Sequence, residues 1–100
     1  ATLEQFRAAL GAAEPPADLS PPLTALWVEA RGGGDWDRAH RIVQAQNDRD
    51  SAWVHAYLHR REGDAGNARF WYSRAGRQPA SGSLEGEWDL IVDALLRAPE

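Results

Sequence analysis

The sequence predicts an all-α fold of five or six antiparallel helices, on three observations. Apolar residues recur at helical spacing in one segment after another, start and stop signals bracket those segments, and no stretch alternates apolar with polar residues as a half-buried strand would. The first helix opens on Thr2, with Gln5 three positions on as in a capping box, and carries Leu3, Phe6 and Leu10 up to Gly11. From Glu14 to Pro22 four prolines forbid a continuous helix and make a stiff linker. Ser20 is the expected cap of a second helix, with Pro21 at its first position, running to about Arg31. Leu23, Leu26, Trp27 and Ala30 form its stripe, and Gly32, Gly33 and Gly34 end it.

Asp35 is a good cap for the third helix, whose buried arc is Trp36, Ala39, Ile42 and Val43 and whose polar arc is Asp37, His40 and Gln44. Asn47, Asp48 and Asp50 break the pattern. Asp50 or Ser51 is then expected to cap a fourth helix reaching about Glu62, with Trp53, Val54, Tyr57 and Leu58 on one side. His55, His59 and Glu62, at i, i+4 and i+7, share the opposite side, and Gly63 stops the helix. Asp64 starts the next turn. The fifth helix, about Ala65 to Ala75, sends Ala68, Trp71, Tyr72 and Ala75 to the core and leaves Phe70 outside it. After a loop from Pro79 to Ser83, the stripe Trp88, Ile91, Val92 and Leu95 makes a helix able to seal an exposed end. One domain, 1–100, is expected: helix and proline-rich linker over 1–22, two helix-turn-helix units over 23–76, and a sealing helix over 83–98. All five tryptophans, Trp27, Trp36, Trp53, Trp71 and Trp88, are expected inside.

Composition narrows the chemistry. With 43% hydrophobic residues the chain has the apolar surface a folded domain needs. Cysteine is absent, which excludes disulfides and thiolate zinc sites, and so is lysine, which excludes Schiff-base and Walker-type chemistry. A net charge of −4 and a pI near 5.3, with no basic run, argue against a nucleic-acid partner. The apolar runs fall far short of the ~20 residues that cross a bilayer, and the acidic start ATLEQFRAAL does not fit a signal peptide, so a cytoplasmic location is expected.

Aligning Gly34-Asp35 with Gly63-Asp64, 29 residues on, brings Ala39 onto Ala68 and Ile42 onto Trp71. The phrase EGDAGNARFWYSRAG resembles the second half of tetratricopeptide repeats, of the Sel-like variety in particular, at Asp64, Ala68, Trp71, Tyr72, Arg74 and Ala75. The resemblance covers about half of the chain and implies paired helices that present a binding surface. The combination of WDRAH, WVHAYLHR, EGD and NARFWY also resembles a group of small bacterial proteins with no assigned activity.

Two site readings follow. His55 and His59, one turn apart, could both reach a zinc ion, with His40 or Glu62 as a further ligand, although no HExxH is present. More broadly, Trp36, His40 and Gln44 on the third helix could face His55, His59 and Glu62 on the fourth, with Arg60 and Asn67 near, as a pocket for a small polar ligand. The alternative is that the indoles and imidazoles bond turn carbonyls and simply fix the helices. His and Glu together could also do acid-base chemistry, but there is no nucleophile elbow or phosphate loop. Binding without a cofactor is the first expectation, and zinc dependence the second. Phe70 beside Arg69 and Arg74 is an anchor for a protein partner or a second copy of the chain.

Overall fold

The computed structural model, which describes residues 2–97, has six helices, and the fourth is packed against four of the others. The six are α1 (Leu3–Ala9), α2 (Pro21–Ala30), α3 (Trp36–Gln44), α4 (Arg49–Arg61), α5 (Ala65–Ala75) and α6 (Leu84–Arg97), with no strand among the described residues. The protein is thus all-α. The last residue of the range expected for the final helix, 98, lies outside the described residues.

Side chains that satisfy free backbone groups set most of these boundaries. Thr2 and Gln5 close a capping box on α1, Asp35 accepts from the Arg38 amide, and Asp64 accepts from the Asn67 amide. Two expected caps differ. Ser20 precedes α2 but makes no side-chain cap; its carbonyl instead accepts from the Thr24 hydroxyl at 3.0 Å, and the proline at the helix start already removes one donor that a cap would serve. For α4 the cap is Asp48 rather than Asp50 or Ser51: it accepts from the Ser51 amide at 2.9 Å, and the Ser51 hydroxyl donates back to it at 2.8 Å. Ser83 likewise caps α6, accepting from the Gly86 amide, so that helix begins at Leu84, a turn before the apolar stripe.

The two Gly-Asp turns have a common build. Gly34 and Gly63 have φ of +60° and +87°, and each precedes an aspartate that caps the next helix. At Gly34 a side chain is also excluded by space, since a Cβ there would lie 2.8 Å from the Glu29 carbonyl oxygen.

Helix α4 is buried all round. Every residue from Ser51 to His59 is inside, so the expectation of one core face and one polar face is corrected: both faces are covered. On the first, Tyr57 reaches Glu29 of α2 and Arg60 reaches Glu87 of α6. On the second, His55 and His59 lie under aromatic rings from α3 and α5. A helix covered on both faces is held by packing at every turn, which fits Val54, Ala56 and Leu58 having no exposed surface.

The tryptophans divide accordingly. Trp27, Trp53 and Trp88 are core residues, whereas Trp36 and Trp71, expected inside, are only half-buried: Trp36 stacks on the partly exposed His40, and Trp71 forms the outer cover of the buried His55. The indole N–H groups of Trp27, Trp36 and Trp88 donate to the carbonyls of Ala9, Leu58 and Leu26 at 3.0, 2.7 and 3.2 Å. For those three indoles the packing role weighed above holds.

Two buried carboxylates, which the sequence pattern did not single out, brace α4 at its C-terminal end. Glu29 accepts from the Tyr57 hydroxyl at 2.8 Å and lies 3.2 Å from Arg61 Nε. Glu87 accepts from Arg60 Nη1 at 2.9 Å and from the Tyr72 hydroxyl. Each is a Tyr-Glu-Arg set, and in each a guanidinium and a phenol compensate a carboxylate taken out of water. Arg60 also donates to the Gly82 carbonyl, so it is fully engaged with α6 and its preceding loop. Among the described residues, no helix is long and apolar enough to cross a membrane.

Candidate metal centre

The polar arc of α3 meets the second face of α4 at three imidazoles. Asp48 turns the chain between the helices, and Ala39 and Val43, both buried, seat α3 so that His40, on the flank between them, leans over His55. Ring centroids of His40 and His55 are 4.6 Å apart, those of His40 and His59 5.2 Å, and those of His55 and His59 5.0 Å. The helical spacing that placed His55 and His59 on one face supplies the last of these distances.

Aromatic rings close the cluster on two sides. Trp36 stacks on His40, with centroids 4.8 Å apart and planes 9° from parallel, and presents its ring at a steep angle to His59. Trp71 stacks on His55 at 3.8 Å and 12°. His55 and His59 are buried while His40 is half-exposed, so the cluster opens to solvent beside His40.

The hydrogen bonds fix which nitrogens are free. His59 Nδ1 lies 2.7 Å from Glu62 Oε2, so an Nδ1–H donates to the carboxylate and leaves the Nε2 lone pair available. His40 Nε2 and His55 Nε2 face one another at 3.0 Å, and one must donate to the other. His55 Nδ1 is buried with no partner. In either neutral tautomer that atom is left unsatisfied, as donor or as acceptor, at a cost of about 1–3 kcal/mol. Burial holds His55 far below its ordinary range, at about 4, with the neighbouring His40 and His59 adding to the effect. Burial, and then the proximity of His59, lowers His40 as well. Both rings are therefore neutral near pH 7.

This donor set suits a borderline transition metal. One nitrogen from each of His40, His55 and His59 lies within 4.8 Å of the other two. A tetrahedral zinc with Zn–N bonds of about 2.0–2.1 Å holds its nitrogens about 3.4 Å apart. The 3.0 Å between His40 and His55 would need to open by a few tenths of an ångström, and the His59 nitrogen, within 4.8 Å of both, would complete the set that could hold such an ion.

Of the residues expected here, Trp36, His40, His55, His59 and Glu62 come together, but Glu62 stands behind His59 and orients it. Three are elsewhere. Gln44 is exposed at the end of α3, one turn beyond His40, in a depression lined also by Asn47, Asp48, Ala52 and Trp71. Arg60 lies on the opposite side of α4, held by Glu87. Asn67 is an exposed first-turn residue whose side chain donates to Asp64 at 2.7 Å, and these bonds lower Asp64 below the usual carboxylate range. Trp71 is the site residue that sequence reasoning assigned to the core; its place directly after Phe70, in a helix whose buried residues are Ala68, Tyr72 and Ala75, was the available signal that it sits at the margin. Comparison with known proteins finds no family model, no curated protein and no solved structure that matches this chain.

Proposed function

We propose that this domain is a helical binding module whose ligand at the imidazole cluster is a divalent transition metal of the zinc class. The observation that carries this reading is the convergence of His40, His55 and His59, with two of their nitrogens 3.0 Å apart and both of those rings neutral near pH 7. Metal ligation needs deprotonated imidazole, so the protein does not have to lose protons from those two rings to the bulk before binding. Glu62 behind His59 supports it too, since a ligating histidine usually donates its other N–H to a carboxylate or carbonyl. Three protein nitrogens leave a fourth position, which faces the solvent side at His40. The likeness of Asp64 to Ala75 to tetratricopeptide repeats favours a binding role over catalysis, because such repeats serve as surfaces.

The same geometry sets the strength. A neutral His55 that ligates through Nε2 carries its proton on Nδ1, where it has no acceptor, which lowers affinity about 10- to 100-fold against a site with that partner present. Cobalt(II) absorption and zinc calorimetry at pH 7.5 test the proposal. One equivalent should bind with intense visible bands, and His40→Ala, His55→Gln and His59→Gln should each weaken it by at least about tenfold while leaving the helical circular dichroism intact. Absence of heat and of visible bands, or equal binding by the triple variant, overturns it.

A further inference from the structure

Trp36 also lines a second cleft, which none of the three histidines reaches. Helices α1, α2, α3, α4 and α6 line this open cleft of about 720 Å³, within the range of small-molecule sites and larger than a single amino acid requires. Its wall is half polar. Trp36, Tyr57 and Trp88 supply aromatic surface, and three arginines and three carboxylates also line it.

Most of those charges are committed. Arg61 is paired with Glu29, which is also the acceptor for Tyr57, and Arg7 is paired with Asp89. Arg31 and Glu85 have no ion-pair partner among the described residues. Arg31 is nevertheless fixed: its Nε donates to the Ala12 carbonyl at 2.8 Å and its guanidinium lies 5.3 Å from the centroid of Trp27. That anchoring leaves the two terminal nitrogens free, the fork that receives a carboxylate. Glu85, one turn before Asp89 on α6, is close enough to Glu29 and Arg61 for its charge to act on both, which sets it toward the cavity.

From these two uncommitted charges on one cavity wall we infer that the cavity binds a zwitterion, a short peptide carrying its own free termini, with its carboxylate on Arg31 and its ammonium on Glu85. The chemistry is complementary on each side. A lone anion would meet Glu29, Glu85 and Asp89, and a lone cation would meet Arg7, Arg31 and Arg61; a ligand with one charge of each sign is repelled by neither set. Terminal amine and terminal carboxylate are groups that proteins recognise in this way. The aromatic surface of Trp36 and Trp88 receives the peptide's side chains and reports its arrival.

The probe is glycyl-leucine, set against N-acetyl-glycyl-leucine and glycyl-leucinamide, with EDTA present so that peptide chelation of metal plays no part. Tryptophan fluorescence and calorimetry should show binding of glycyl-leucine at millimolar Kd or tighter, with each blocked form at least about tenfold weaker. Arg31→Gln should abolish the preference for carboxylate over amide and keep that for amine over acetyl; Glu85→Gln should do the reverse. Neither position is in the core, so the fold tolerates both. No binding at about 10 mM peptide, or equal binding of free and blocked forms, overturns the inference.

Discussion

Acid should unfold this protein through His55, and replacing that residue should flatten the response. Its imidazole titrates at about 4 in the folded chain against an ordinary 6.5. A lowered histidine is neutral when folded and charged when unfolded, so between those values the unfolded chain binds the extra proton and stability rises with pH. The contribution is complete above pH 6.5 and is lost as the pH falls toward 4. At about 1.36 kcal/mol per unit the whole window is worth about 3 kcal/mol, of which about 2.5 is lost between pH 7.5 and 4.5. His40, also lowered by burial, acts in the same sense, whereas Glu29, raised by burial against the opposing effect of Tyr57 and Arg61, gains a proton in the folded state and opposes it. His55→Gln removes one known contribution and leaves those two in place. Urea unfolding from pH 7.5 to 4.5 in a metal-free buffer should show the wild type losing about 2.5 kcal/mol more than the variant. Parallel slopes for the two proteins would refute the argument, because a ring that charges as easily folded as unfolded is not buried among other imidazoles.

Two further substitutions probe the frame of the site. Gly34→Ala should cost about 2 kcal/mol or more in urea titration, since it adds a side chain at φ +60° and puts its Cβ 2.8 Å from a backbone oxygen, while Gly82→Ala, with open space around it, should change stability little. Trp71→Ala should cost about 2 kcal/mol, less than the 3–5 of a fully buried tryptophan such as Trp53, because its ring is half-exposed and its main loss is the stack on His55.

The helices were legible because their signals are local. Asp35, Asp64 and Gly63 act on neighbours within one turn, and the convergence of His40 on His55 and His59 followed from spacing and a short turn. What could not be read depends on partners far apart in the chain. Arg60 sits one residue after His59, and sequence alone does not say that a step of about 100° turns it to Glu87, 27 residues away, instead of to the histidines. Glu29, at the end of an apolar helix, reads as a solvated terminus until Tyr57 and Arg61 arrive from α4 to cover it. Trp36 and Trp71 have core composition, and the neighbours that hold them at the margin are imidazoles that periodicity counts as polar.

The burial of α4 on every side has a consequence for how the molecule opens. Its amides from Ser51 to His59 are covered by α2, α3, α5 and α6 together, so their exchange with solvent deuterium requires the neighbours to leave and reports the global unfolding free energy. Helix α1 has two turns, one buried side chain, Phe6, and packs chiefly on α6. Its detachment is a separate, cheaper fluctuation that carries Arg7 and Leu10 away from the cavity while the backbone under His55 and His59 stays closed. The two proposed sites are therefore expected to rest on units of different stability: the cleft should open with the N-terminal turn at Arg7 and Leu10, and the backbone that carries His55 and His59 should stay closed until the domain unfolds.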